Sequence, residues 1–489
     1  MSNFLIVLLS VLVLVPIVGA FLSYPLRGRK GDWIPGIFAG ITLIVGIISV
    51  VSGYPQKSEF LVNWFPWLES NATKANFFGF LVDPLTSLML IVITAIGFLV
   101  VVYSAGYLSP KNRDHAFVGP KGNYYFWLLL FIGSMIGVVI SPSFLQLFIF
   151  WEMTTLCSWA LISYNKDDKS LFSGFKALII THIGGIALLI GLTILFVSTR
   201  SFAFDALDKL TPSLRTTVFI LILIAAWAKA AQIPFYTWLP DAMVAPTPVS
   251  AYLHAAAMVK AGVYLAARTT LSNPELSQGS GLILAIMAVI TIIITVILYF
   301  VQDDLKRLLA FSTIGHLGYI LFGVSLLILG SPTGFRGGVL HIINHACGKG
   351  LLFLSVGAIA YATGTRKISE LSGLGRKMPL VSIAFIIGLF AVTGVPPLSC
   401  FWSKFMMFTG AFEIGGAAGY ILGVLVIIES LVAFAWYLFV GHRVFFGAVS
   451  EKAATAGSNS VAISLPLIIL MILCFLAPII GFPLVQHLG

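Results

Sequence analysis

The sequence predicts an all-α integral membrane protein with about 14 transmembrane helices. Of its 489 residues, 59% are hydrophobic and only 9% are charged, whereas a soluble domain is roughly 45–50% apolar and about 25% charged. A membrane span needs about 20 mainly apolar residues, so this length accommodates roughly fourteen spans joined by short loops. The composition argues against a soluble enzyme, a disordered chain and a nucleic-acid-binding domain.

Breaks in hydropathy divide the chain into fourteen predicted spans, numbered here in chain order. The apolar N-terminus lacks a basic flank, so we interpret it as span 1 and not as a signal peptide. The predicted spans are 4–26, 34–52, 77–106, 124–140, 144–164, 171–198, 216–239, 248–268, 279–300, 305–329, 335–361, 379–412, 417–440 and 461–484.

Loop cations predict the orientation of these spans. The odd-numbered loops hold 16 Lys and Arg residues and the even-numbered loops hold 7. Cytoplasmic loops carry the excess of basic residues, so the odd loops are predicted to be cytoplasmic and both termini extracytoplasmic. The net charge of +10 is therefore a topology signal, and no nucleic-acid partner is expected. The counted cations include Arg27, Arg29, Lys30 and Lys306 in odd loops, and Lys74 and Arg268 in even loops.

The four cysteines do not form a recognisable cofactor site. Cys157, Cys347, Cys400 and Cys474 each lie in an apolar stretch, and no two follow C-x-x-C spacing. An iron–sulfur site needs several clustered thiolates. We therefore expect no cofactor in this chain and no disulfide framework.

Ionisable residues within the spans are the main functional signal. A charge at the bilayer centre costs about 2.5–3.5 kcal/mol on insertion scales, so a group of them implies a polar interior shared between helices. Lysine, unlike arginine, can lose its proton when desolvated, so lysines, histidines and carboxylates in a row can pass protons. The alternative is static salt bridges or side chains that snorkel to the interface. The residues are Asp83, Glu152, Lys176, Lys229, Asp241, His254, Lys260, His316, His341, His345, Lys349, Lys404 and Glu429, with His182 beside them.

Spacing supports a polar track. His341, His345 and Lys349 recur every four residues and therefore share one helix face. His254 and Lys260 are six apart, a weaker match to one face. A zinc site is the alternative for His341 and His345, but a third ligand of the usual kind is missing nearby.

Two spans are predicted to be broken. Pro234 and Pro240 follow Lys229 in span 7, and Pro396 and Pro397 precede Lys404 in span 12. Proline removes a backbone donor and clashes with the preceding turn. Unwound backbone at membrane depth lines a cavity or is buried in protein, and matching breaks in two halves mark a transport site. Grouping helices 4–8 and 9–13 makes each break the fourth helix of its unit; ordinary proline kinks are the alternative.

Several segments together resemble the antiporter-like family, which includes the L, M and N subunits of bacterial complex I, the large Mrp antiporter subunits and the matching subunits of membrane-bound hydrogenases. The resemblance covers about residues 75 to 445 and implies two inverted five-helix repeats with a central polar axis. The implied divisions are 1–123, 124–268, 279–445 and 461–489. The segments are FFGFLVDPLTSLM, FIFWEMTTLCSWALI, AAWAKAAQIPFYTWLPDAMVAPTPVSAYLHAAAMVKAGVYL, QDDLKRLLAFSTIGHLGY, HIINHACGKGLLFLSVGAI and GVPPLSCFWSKF.

The resemblance also implies roles. Glu152 and Lys229 match a modulating ion pair beside the first break. Residues matching the connecting track and its end beside the second break are His254, Lys260, His341, His345, Lys349 and Lys404. Secondary residues are Asp83, Lys176, Asp241, His316 and Glu429; for Glu429 we expect either a charge near Lys404 or a contact with a neighbouring subunit.

Departures from the family pattern narrow the comparison. Lys404 stands where the M-type subunit of complex I usually has glutamate. His182 and Gly185 stand where L-like members carry Arg and Asp, which puts an L-type ion pair there in doubt. The chain lacks the long lateral helix of the L subunit, and its size resembles that of the Mrp D subunit.

The resemblance implies a proton-translocating subunit of a redox-driven complex in a prokaryotic plasma membrane, of hydrogenase, sulfur-reductase or complex I type. Its partners would be Mrp-type small subunits and a redox arm with iron–sulfur or hydrogenase-like subunits. The alternative is a D-type subunit of a stand-alone Mrp sodium/proton antiporter, in which no enzyme is involved. A third possibility is an unrelated transporter of an organic solute. Lysine and histidine cannot coordinate sodium, so the track argues for protons.

Overall fold

The structure, a computed structural model, describes residues 1–25, 33–55, 57–62, 78–117 and 119–488. The loop cations Arg27, Arg29, Lys30 and Lys74 lie outside these residues. The helices and strands are α1 (Asn3–Ser23), α2 (Trp33–Gly53), β1 (Ser58–Val62), β2 (Phe78–Val82), α3 (Pro84–Tyr107), α4 (Gly122–Ile140), α5 (Phe144–Ile162), α6 (Asp168–Thr199), α7 (Pro212–Lys229), α8 (Trp238–Asp241), α9 (Thr247–Ala255), α10 (Met258–Ser272), α11 (Gln278–Tyr299), α12 (Leu305–Ile328), α13 (Pro332–Thr363), α14 (Pro379–Thr393), α15 (Ser399–Glu413), α16 (Gly416–Phe445), α17 (Glu451–Ala454) and α18 (Val461–Val485).

The described helices make this a multi-pass membrane protein. Within the described ranges, thirteen are long and apolar enough to cross a membrane, counting α9 and α10 together. The fourteenth predicted span, 379–412, is divided into α14 and α15, each of 15 residues. Large apolar side chains are exposed along the outer helices α1, α2, α6, α16 and α18, as expected for surfaces that meet lipid or other apolar partners.

The predicted start of span 3 was wrong. Residue 77 lies outside the described residues, and Phe78–Val82 form strand β2, which pairs antiparallel with β1. The helix begins only at Pro84, because Asp83 adopts an extended conformation and its carboxylate accepts a hydrogen bond from the Thr86 amide at 2.9 Å. Apolar residues in a strand and at the start of a helix have the same hydropathy, so hydropathy alone did not separate them.

Both predicted helix breaks are present. After Lys229 the chain leaves the helix through Ala231, which has a φ of +50°, and reaches the short helix α8. The second break follows α14 at Gly394, with a φ of +90°, and α15 resumes at Ser399. Each break therefore places unwound backbone next to a buried lysine.

A third break was not predicted. Span 8 is divided between α9 and α10 at Ala256 and Ala257. The amides of both residues donate to the Tyr252 carbonyl, at 3.1 and 2.9 Å. Alanine is the best helix former, so nothing in the local sequence indicated this interruption. The break separates His254 from Lys260.

The core surrounds α13, which is buried along its whole length. Glycines let its backbone touch those of α12 and α15: a Cβ at Gly323 would lie 2.5 Å from Gly338 Cα, and a Cβ at Gly410 would lie 2.4 Å from Gly334 Cα. Small residues at such contacts are typical of close helix packing in membranes. Three helices that carry predicted track residues are thus joined directly at their backbones.

Candidate functional site

The first part of the site lies between α5 and α6. Glu152 Oε2 is 3.0 Å from Nδ1 of His182. Gly185 leaves room for the carboxylate, since a Cβ there would lie 2.2 Å from Glu152 Oε1. His182 is 57% exposed at its side chain, so the carboxylate is held toward the outer surface of the chain.

Lys229 is fully buried at the end of α7. Its Nζ donates to the Trp151 carbonyl at 2.6 Å and to the Thr155 hydroxyl at 3.0 Å, and lies 4.2 Å from the Trp151 ring centroid. The expected direct pair with Glu152 is not formed, because the Glu152 carboxylate bonds His182 instead. The lysine nevertheless binds the backbone of the residue that precedes Glu152, so the two charges lie on adjacent parts of α5.

The centre of the site is a contact between α10 and α13. Lys260 Nζ is 3.0 Å from His345 Nδ1, and both side chains are fully buried. His316 on α12 adds a second imidazole, with its ring centroid 5.0 Å from that of His345. The predicted secondary residue His316 is therefore part of the centre.

Imidazoles and a hydroxyl extend this centre toward the second break. His316 Nδ1 is 2.9 Å from His341 Nε2, and His341 Nδ1 is 2.8 Å from the Ser403 hydroxyl. Ser403 lies on α15, directly before Lys404. Alternating donors and acceptors of this kind can transfer protons by exchange of hydrogen bonds, because each imidazole carries two nitrogens.

Lys404 lies beside the second break, as predicted. Its Nζ donates to the Ser430 hydroxyl at 2.8 Å and to the Thr393 carbonyl at 3.3 Å. The ammonium also lies 4.7 Å from the Tyr319 ring centroid, a cation–π contact. A cavity of about 280 Å³ reaches Lys404 from the face that carries Phe405.

Two predicted track residues are not bonded to this series. Lys349 shares a helix with His345 but donates to the Ser312 hydroxyl at 2.5 Å, with Tyr437 OH at 3.4 Å. His254 packs on the Phe353 ring at a centroid distance of 4.6 Å, and neither of its nitrogens has a hydrogen-bond partner among the described residues. Buried polar atoms of this kind normally bind water.

The structure corrects the assignment of Arg268 to a loop. Arg268 lies in α10, is 2% exposed, and forms a bidentate ion pair with Asp83. Tyr264 and Thr86 also bond its guanidinium. Asp83 is thus held at the base of α3, away from the lysine–histidine series.

The polar residues near α8 form a separate surface cluster. Lys176 donates to Asp241 at 2.7 Å, and Arg307 contacts the same carboxylate at 3.4 Å. Lys306 was also assigned to a loop, but it is fully buried in the first turn of α12 and donates to the Met243 and Ala245 carbonyls. It fixes the backbone that follows the first break.

Among the described residues no group of three or more His, Cys, Asp or Glu side chains has the arrangement of a metal site. The four cysteines are buried and free. The sequence analysis did not identify Ser403 or Tyr319 as site residues, although each lies within three residues of a predicted one. Their hydroxyls carry no signal in hydropathy, and only the packing of helices reveals them.

The chain was then compared with known proteins. Residues 141–431 match the family described as NADH:quinone oxidoreductase/Mrp antiporter, TM. The chain belongs to this family. Residues 67–118 also match the description NADH-Ubiquinone oxidoreductase (complex I), chain 5 N-terminus. The antiporter-like resemblance is therefore confirmed, and this family member is a multi-pass protein of the prokaryotic plasma membrane.

Curated relatives are named as Mrp-type subunits. The Na(+)/H(+) antiporter subunit A1 of Staphylococcus haemolyticus (strain JCSC1435) is 36% identical over 469 residues, covering 91% of this chain and 56% of the relative. Subunit A1 of Staphylococcus aureus (strain JH9) is 36% identical over 428 residues, covering 82% and 51%. The chain thus spans about half the length of these relatives, whose name is A1 although the size resembles a D subunit.

Two solved structures share the fold. The Mrp complex from Dietzia sp. DQ12-45-1b contains a chain with a TM-score of 0.85 and 31% identity, covering 99% of this chain and 51% of that one. A chain of the membrane-bound sulfane sulfur reductase, an archaeal respiratory membrane complex, has a TM-score of 0.85, 24% identity and coverage of 98% and 96%. The second likeness concerns the fold alone.

Proposed function

We propose that this chain is a proton-translocating, antiporter-like subunit of a multi-subunit, redox-driven membrane complex. The observation that carries the proposal is the buried series in which Lys260, His345, His316, His341 and Ser403 lead toward the second helix break. Lys229 and Lys404 stand at the two ends, each beside unwound backbone. Water would bridge the steps at which no side chains are in contact, including the one at His254.

Glu152 and His182 are proposed to drive the series electrostatically. A carboxylate near Lys229 stabilises the protonated ammonium, and its withdrawal favours release of the proton. At 4 Å and an effective dielectric near 20, the interaction is worth about 4 kcal/mol, or roughly a thousandfold in proton affinity. In the described conformation His182 holds the carboxylate away from Lys229. We propose that a neighbouring subunit exchanges Glu152 between His182 and the lysine.

We also propose the domain organisation and orientation expected from the sequence. Residues 124–268 and 279–445 would be inverted repeats, preceded by 1–123 and followed by 461–489, since each repeat holds one proline-containing break beside a lysine. Removing the buried Lys306 and Arg268 leaves a loop bias of 15 to 6 cations. The odd loops would therefore be cytoplasmic and both termini extracytoplasmic. No cofactor is proposed in this chain.

The identity with subunit A1 favours a second candidate, a subunit of a stand-alone Mrp-type sodium/proton antiporter. Mass spectrometry of proteins that copurify from mildly solubilised native membranes would distinguish the two. Iron–sulfur or hydrogenase-like partners would support the redox-driven complex. Copurification of small hydrophobic Mrp-type subunits alone would support the antiporter.

Transport itself is tested with Lys229→Ala in inverted vesicles from the native host. We expect coupled proton movement to be abolished while the complex assembles normally, because the side chain that accepts and releases the proton is gone. Lys452→Ala is the control, since Lys452 is exposed in α17. Undiminished proton movement in assembled Lys229→Ala complexes would reject the proposed function.

A further inference from the structure

Glu429 is a buried carboxylate that the series described above does not use. It lies on α16 and is 5% exposed. An isolated ionised carboxylate in such surroundings is strongly disfavoured, so it requires either a nearby cation or a proton of its own. Its immediate contacts decide which of these the chain provides.

The Tyr319 hydroxyl contacts two acceptors at once. It is 2.7 Å from the Val426 carbonyl and is hydrogen-bonded to Glu429 Oε2. A phenol has only one hydrogen to donate. If Glu429 is ionised, Tyr319 donates to Glu429. If Glu429 is protonated, the acid donates to the phenol oxygen and Tyr319 donates to Val426. The same three groups therefore accommodate both protonation states without movement of a helix.

Lys404 is connected to this unit by hydroxyls. Its Nζ donates to Ser430 at 2.8 Å, and Ser430 in turn interacts with Tyr319. The lysine also stacks on the ring of Tyr319. No ion pair within 4 Å joins Lys404 and Glu429 among the described residues, so the hydroxyls stand between the two charges.

The other neighbours of Glu429 add no second cation of comparable closeness. Tyr299 from α11 and Tyr437 from α16 itself interact electrostatically with it, beside Tyr319 from α12 and Lys404 from α15. Helix α14 also packs on α16 and has no ionisable side chain. Lys404 is therefore the cation with which Glu429 exchanges charge.

We propose that Glu429 is a proton-binding site that exchanges a proton with Lys404 through the hydroxyls of Ser430 and Tyr319. One N–H bond of the Lys404 ammonium breaks, each hydroxyl accepts one hydrogen and passes on its own, and an O–H bond forms at Glu429. The ammonium becomes an amine and the carboxylate becomes an acid, so the net charge of the unit is unchanged. This inference rests on the proposed function, because it places the exit of the series at Glu429.

The first test is infrared difference spectroscopy of the purified complex during a pH titration. We expect a carboxylic acid C=O band that is lost in Glu429→Gln and displaced in Tyr319→Phe, because the acid loses the oxygen to which it donates. Tyr319→Phe keeps the ring on which Lys404 stacks. Tyr420→Phe is the control, since Tyr420 is 57% exposed on α16. A spectrum that is the same in Glu429→Gln and the unmodified complex would overturn the inference.

The second test is proton movement in vesicles. We expect Tyr319→Phe to slow it at least about tenfold, because a positioned proton-transfer group is removed. An unchanged rate would overturn the inference, and this variant remains informative if Glu429→Gln does not assemble. Lys229→Ala separates the two proposals. Undiminished transport there, with the band lost in Glu429→Gln, would reject the proposed function and leave the Glu429 site standing.

Discussion

The ion pair between Asp83 and Arg268 gives the sharpest prediction of stability. Arg268→Leu would leave Asp83 buried without a cation. Removing one partner of a buried pair typically costs about 3–5 kcal/mol, because the remaining charge is not compensated. The upper part of that range is expected here, since Arg268 forms two bonds to Asp83 and a further one to Thr86.

A double variant distinguishes the pair from simple loss of packing. Asp83→Asn with Arg268→Leu removes both charges, while asparagine still caps α3 through the Thr86 amide. We expect this double variant to recover most of the stability lost in Arg268→Leu. Lys367→Met is the control, because its pair with Glu370 is exposed and contributes about 1 kcal/mol or less.

The assay is the free energy of unfolding, measured by denaturant titration of the purified protein in mixed micelles. Arg268→Leu within about 1 kcal/mol of the unmodified chain would refute the reasoning, since a buried unpaired carboxylate cannot be so inexpensive. A double variant as unstable as Arg268→Leu would refute it equally, because the loss would then come from packing.

Three further predictions concern transport. Gly185→Ala should reduce coupled proton movement severalfold, because its Cβ would displace the Glu152 carboxylate; Gly191→Ala, whose Cβ would meet only a 3.3 Å contact, should leave the rate unchanged in the same vesicle assay. His254→Phe should unfold with a free energy within about 1.5 kcal/mol of the unmodified chain but slow transport, since it preserves shape and removes a water-binding ring. Lys260→Arg should stop transport in assembled complexes, because a guanidinium keeps its proton; a normal rate would exclude Lys260 from the path.

Hydropathy and proline spacing predicted the spans and two of the breaks well. Both follow directly from the cost of exposing backbone and charge to lipid, which the sequence records residue by residue. The break at Ala256 and Ala257 could not be predicted in this way. It depends on the Tyr252 carbonyl accepting two amides, and therefore on tertiary packing around a segment with high helix propensity.

The residue types of the site were predictable, but their pairing was not. Arg268 and Lys306 lie at the ends of apolar segments, where a cation ordinarily marks a membrane interface. Only the packed helices show that Arg268 meets Asp83 and that Lys306 meets backbone carbonyls. Glu152 likewise has a partner that spacing could not select, because the room for its carboxylate comes from a missing side chain at Gly185.

The glycine contacts among α12, α13 and α15 limit how this protein can switch. At Gly323–Gly338 and Gly334–Gly410 the backbones already touch, so one helix cannot roll or slide past the next without a collision. A disturbance arriving from an outer helix would then displace the three as one body and leave the spacing between their imidazoles and hydroxyls unchanged. Opening and closing of the path would fall to rotating hydroxyls, flipping rings and the entry or loss of single waters. The glycines thereby set a fixed scale against which proton transfer can remain in register while the rest of the complex moves.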